Sequence, residues 1–97
     1  MIPVDYLPGA RQDFDESFDW YAARSPSAAE RFTSAIDSAL ADIARNPDRF
    51  AAIDQIHREY LVRRFPFRIV YRVEPHRVLV VAVAHAKWRP GYWHGRQ

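Results

Sequence analysis

Cysteine is absent from this chain of 97 residues. That excludes a disulfide framework and a thiolate zinc site, and it makes a cytoplasmic location the simpler expectation. Glycine occurs only at positions 9, 91 and 95, so neither a glycine-rich phosphate loop nor a nucleophile elbow can be written into the chain. The histidines at 57, 76, 85 and 94 have no ligand spacing, and no metal or cofactor is expected. Residues 1–19 mix acids with apolar side chains and contain no unbroken apolar run, which is unlike a secretory leader or a membrane span. Repeats, low-complexity tracts and linkers are also missing. One domain over residues 1–97 follows, large enough to bury roughly 60–65% of the surface its unfolded chain would expose.

What is present is distributed unevenly. Residues 1–54 carry five Arg against ten Asp and Glu, and residues 55–97 carry nine Lys and Arg against two Glu, so local charges of −5 and +7 make up the net +2. A basic half raises the local concentration of anionic partners, either nucleic acid or an acidic protein segment.

Read in order, residues 2–6 are short and β-prone, with Pro3 near the start, and predict an edge strand. After Pro8-Gly9, the spacing of Ala10, Phe14, Phe18 and Tyr21 predicts a helix over 9–24, with Asp13, Asp15, Glu16 and Asp19 on its solvated side. Residues 25–30, reading SPSAAE, start a second helix in one of two ways: Ser25 caps with Pro26 following, or Ser27 and Glu30 form a capping box. Phe32, Ile36, Ala39, Leu40 and Ile43 form its apolar stripe, and Asn46-Pro47 ends it. The short connection makes the two helices an antiparallel hairpin. Residues 48–57 read as a loop anchored by Phe50 and Ile53.

Residues 58–93 organise the rest. Alternating β-branched, aromatic and arginine residues, broken at Phe65-Pro66 and at Glu74-Pro75-His76, predict three consecutive antiparallel strands. A two-residue turn at Phe65-Pro66 pairs Arg63 with Arg68, Leu61 with Val70 and Glu59 with Arg72. A turn centred on Pro75-His76 pairs Val73 with Val78, Tyr71 with Val80 and Ile69 with Ala82. Alternation then puts Tyr60, Val62, Phe67, Ile69, Tyr71, Val73, Val78, Val80, Ala82 and Ala84 against the helices. Glu59, Leu61, Arg63, Arg68, Val70, Arg72, Leu79, Val81, Val83 and His85 fall on the opposite face. Arginines on an apolar floor suit bidentate contacts to phosphate or carboxylate. Beyond His85, Lys87, Arg89, His94 and Arg96 interleave with Trp88, Tyr92 and Trp93. This tail either stacks on bases while holding phosphates or folds back over the sheet.

A short strand, a helical hairpin ending at Asn46-Pro47, an arginine-rich strand, FPFRIVY over 65–71, a valine-rich strand and His85 before a basic aromatic tail together resemble the RelE/ParE superfamily of bacterial toxins. The resemblance spans nearly the whole chain. It implies an α+β fold of order β-α-α-β-β-β, with an antiparallel sheet carrying the helical hairpin on one face. It also implies a cognate antitoxin whose extended segment wraps the toxin, a toxin–antitoxin hetero-oligomer, and no membrane partner. Two activities are implied within the superfamily. ParE-like toxins poison DNA gyrase without catalytic residues of their own, and His85 is similar to the histidine closing their last strand. RelE-like toxins are ribosome-dependent mRNA endonucleases; for a nuclease the resemblance implies Arg68, standing where that branch has a functional arginine, and Tyr92, near its C-terminal tyrosine, as the catalytic residues. Departures from the RelE set are the absence of its paired lysines and Trp88 in place of the last-strand arginine, with Arg89 one position later. The implied groove comprises Glu59, Arg63, Arg68, Arg72, His85, Lys87, Trp88, Arg89 and Trp93. A basic nucleic-acid-binding module without toxicity is the remaining alternative.

Overall fold

The computed structural model describes residues 2–97. Strand β1 (Val4–Tyr6) leads into helix α1 (Pro8–Arg24), α2 (Pro26–Arg45), and then β2 (Ala51–Ala52), β3 (Arg58–Leu61), β4 (Phe67–Glu74) and β5 (Arg77–His85). Pro8 occupies the first turn of α1, where its missing N–H costs no hydrogen bond. Ser25 both ends α1 and begins α2. Its backbone N–H donates to Tyr21 O, while its Oγ accepts from the Ala28 N–H at 3.1 Å. The first of the two expected caps is therefore the one used. Asn46 closes α2 by donating its backbone N–H to Asp42 O, and the next carbonyl, that of Pro47, accepts from Tyr71 Oη at 2.7 Å. A carbonyl just past the helix end is thus satisfied from the sheet.

The helices pack on one face of a five-stranded sheet ordered β1-β5-β4-β3-β2. Phe32, fully buried, sits at the centre of this layer, with the rings of Phe14, Tyr21, Phe65 and Phe67 between 5.0 and 5.8 Å from it. Aromatic pairs at such separations contribute about 0.5–1.5 kcal/mol each beyond their burial.

The α+β class and element order match the expectation, and the sheet departs from it in two ways. It is mixed, because β1 lies parallel to β5 through Val4↔Val78 and Tyr6↔Val80. It also gains β2, two residues of the expected loop that pair with β3. Phe50 anchors that loop in the core as expected, whereas Ile53 remains exposed.

Registers differ in an instructive way. The β4–β5 hairpin has the expected pairs Val73↔Val78 and Tyr71↔Val80. The β3–β4 hairpin has slid by two residues, with Leu61 opposite Arg68 and Glu59 opposite Val70. Its loop takes residues 63–66 instead of two, because Arg64 adopts φ 68° and a tight turn at Pro66 closes through Phe67 N–H to Phe65 O. A slide of two keeps every side chain on its face. A bulge does not: Val70↔Ala82 follows Tyr71↔Val80, so Val81 is an extra residue in β5. Beyond it the faces exchange. Val83 joins the core under the helices, and Ala82 and Ala84 move to the other side.

Candidate functional site

The face of the sheet away from the helices is covered at one end by the C-terminal segment. After β5 the chain turns repeatedly through residues 86–95, with Gly91 and Gly95 at φ 73° and 88°, conformations that only glycine adopts freely. These turns lay Trp93 on Leu7, Val70, Leu79, Val81, Ala82 and Ala84, leaving it 5% exposed. His57 packs on Trp93 at 4.8 Å. Of the two uses open to the tail aromatics, covering the sheet is the one Trp93 serves.

Asp13 fastens this segment. It is buried, although the sequence assigned it to the solvated side of α1. One carboxylate oxygen accepts from Val83 N–H at 3.1 Å, from Tyr92 Oη at 2.8 Å and from Arg96 Nη1 at 2.8 Å, and the other accepts from Arg96 Nη2 at 3.2 Å. The signal available in the sequence was spacing. Ala10, Asp13 and Ser17 fall on one helical stripe, and all three are buried. Burial, then the hydrogen bond to Asp13 and its charge, push the Tyr92 hydroxyl far above its ordinary range. Its proton therefore stays in place and points at Asp13.

Between this segment and strands β3 and β4 lies a cleft of about 410 Å³, lined by Glu59, Arg68, His85, Trp88, Arg89, Tyr92 and Trp93 together with Ile53, Val70 and His94. Arg68 Nη1 donates to Glu59 Oε1 at 2.7 Å. The His85 Nδ1 accepts from the Lys87 backbone N–H at 3.0 Å, which leaves Nε2 to carry the imidazole proton. Exposed Leu61, opposite Arg68, and exposed Ile53 give the cleft apolar neighbours.

Three of the expected groove residues lie elsewhere. Arg63 sits in the β3–β4 loop beside Arg31, Arg64 and the start of α2. Arg72 faces a separate depression with Asp54, His57 and Glu74, its Nε buried without a partner among the described residues. Glu59 consequently neutralises Arg68 and not Arg72. Lys87 lines a second cleft of about 670 Å³ with Glu16, Trp20, Tyr21 and Phe67. His85 belongs to both clefts. The bulge sets it opposite Phe67, with the rings 5.0 Å apart, so it leans toward the helix side and not squarely into the arginine face as the alternation predicted.

The site combines a paired arginine, an exposed Arg89, two imidazoles and apolar walls. Such a surface suits docking of a partial anion with apolar side chains. Among the described residues no group of three or more His, Asp or Glu could hold a metal ion, and no helix is long and apolar enough to cross a membrane.

Two helices packed on one face of a five-stranded mixed sheet are a fold shared with solved toxin–antitoxin structures. The chain is similar to the structure described as the chromosomal ParDE toxin–antitoxin system from P. aeruginosa, with a TM-score of 0.76 and 18% identity over 90% of this chain and 98% of that one. It is also similar to the RelBE2 toxin–antitoxin complex from Mycobacterium tuberculosis, with a TM-score of 0.58 and 22% identity over 89% of this chain and 93% of that one. None of the curated proteins matches the sequence. The family model for the ParE toxin of the type II toxin–antitoxin system parDE matches residues 4–89, and the chain belongs to that family.

Proposed function

We propose that this ParE-family toxin halts growth by docking the face built from β4, the end of β5 and the C-terminal segment onto DNA gyrase, without catalysing a reaction of its own. The observation that carries this reading is the state of Tyr92, whose hydroxyl proton is spent on buried Asp13. Proton transfer in RNA cleavage needs a group free to give or take a proton near the reacting 2′-hydroxyl. The family match over residues 4–89 supports the same reading.

The cleft is also where a cognate antitoxin would bind. The similar ParDE and RelBE2 structures are toxin–antitoxin systems. An extended antitoxin segment would set apolar side chains against Leu61 and Ile53 and acidic ones against Arg68 and Arg89, since complementary charge fixes register and speeds encounter. Neutralisation then follows from occupying the surface that gyrase needs.

Adding the purified toxin to a translating extract tests the mode of action. Transcripts should remain full length at concentrations that stop growth. Discrete cuts within translated codons, lost in Arg68→Ala, would replace docking with mRNA cleavage.

A further inference from the structure

We infer that Asp13 is the positioning residue of the docking surface: through Arg96 and Tyr92 it sets where the C-terminal segment, and with it Trp88, Arg89 and His94, stands over the sheet. The inference rests on the reading that this cleft is the docking surface, but its structural half stands alone.

β1 pairs with β5 only as far as Tyr6↔Val80, and Leu7 N–H takes Val80 O at 2.9 Å. Beyond that point Val81 O, at the bulge, and Val83 N–H, just past it, need partners of their own. Arg96 Nη1 donates to Val81 O at 2.9 Å, and Asp13 accepts from Val83 N–H. The ion pair thus continues the edge that β1 leaves open. It joins residues 83 positions apart.

A buried carboxylate is tolerated only when its lone pairs are filled, and among the described residues Val83, Tyr92 and Arg96 supply the donors. Two of those three belong to the C-terminal segment. Gly9 supplies independent support. A Cβ at that position would lie 2.7 Å from Arg96 Nε and 2.8 Å from its Cζ, so the guanidinium lies directly against the backbone of residue 9 and a side chain there would push it from its present place. The helix, the bulge and the strap therefore share one polar junction, and the strap's own residues complete the cleft.

Amide exchange on the full chain, read segment by segment, provides the test, together with gyrase inhibition by the same proteins. Asp13→Asn should raise exchange in residues 88–96 by about tenfold or more while α2 keeps its protection, because local openings report the stability of each unit separately. Gly9→Ala should do the same by crowding Arg96, with Asp13 intact and a better helix former in α1. Arg96→Ala should match them, and Arg96→Lys should recover part of both protection and inhibition. If Asp13→Asn fails to fold, Gly9→Ala and the Arg96 pair decide the matter. Unchanged exchange in residues 88–96 across these variants would overturn the inference. A loosened strap with undiminished gyrase inhibition would leave Asp13 as the clamp and overturn the docking reading instead.

Discussion

Arg68 Nη1 stands 2.7 Å from Glu59 Oε1, an ion pair that the two-residue slide of the β3–β4 hairpin creates on the face opposite the helices. With side chains 45% and 26% exposed, the pair is close to the surface kind that contributes less than about 1 kcal/mol. Glu59→Gln should therefore move the urea midpoint little. It should tighten binding of the cognate antitoxin, since Arg68 is then free for an antitoxin carboxylate, and Arg68→Ala should weaken it. Both effects should shrink as salt is raised toward 1 M. Isothermal titration at two salt concentrations reads both, and equal affinities for the two variants would count against an acidic antitoxin segment in this cleft.

Phe32 is fully buried and meets four aromatic rings. Phe32→Ala should cost about 3–5 kcal/mol, a large part of the 5–15 kcal/mol typical of a domain. Denaturant unfolding monitored by circular dichroism checks this. A loss below 1 kcal/mol would mean that the aromatic layer is not what joins the hairpin to the sheet.

Much of this layer was legible in the sequence, because periodicity reports which side chains face a core. The stripe of α2, the Ser25 and Asn46 ends and the second hairpin register as far as Tyr71↔Val80 followed from spacing and from proline. What failed depends on single residues acting at a distance. A bulge at Val81 inserts one position and reverses the face of everything after it, so Val83 and His85 were misplaced while Val78 and Val80 were not. Arg64 in a left-handed conformation lengthens the first loop, which moved Glu59 from Arg72 to Arg68 without changing any face. Asp13 looked like one more surface acid because its partners, Tyr92 and Arg96, are 79 and 83 residues away. Of the residues expected in one groove, Glu59, Arg68, His85, Trp88, Arg89 and Trp93 line one cleft, Arg63, Arg72 and Lys87 do not, and the carboxylate that holds the tail was missed.

Burial holds the hydroxyls of Tyr6 and Tyr71 up to about 12, against about 10 in an unfolded chain. A proton held more tightly in the folded state contributes stability that is complete below pH 10 and is lost as pH rises toward 12. Tyr92, displaced in the same direction, adds to this loss. The urea midpoint should fall steadily between pH 10 and 12, with tyrosinate absorbance at 295 nm appearing together with unfolding. Full tyrosinate absorbance at pH 10.5 in a protein that is still folded would contradict the burial described for these rings.

Supercoiling of relaxed plasmid by purified DNA gyrase, with increasing toxin, tests the central claim most directly. Wild type should stop supercoiling and should leave cleaved, gyrase-linked DNA, whereas Arg89→Glu, which reverses the exposed charge beside the cleft, should need at least about tenfold more protein for the same effect, as expected when a like charge is set against a complementary surface. Undiminished supercoiling at a large molar excess of folded, growth-inhibiting toxin would contradict the account.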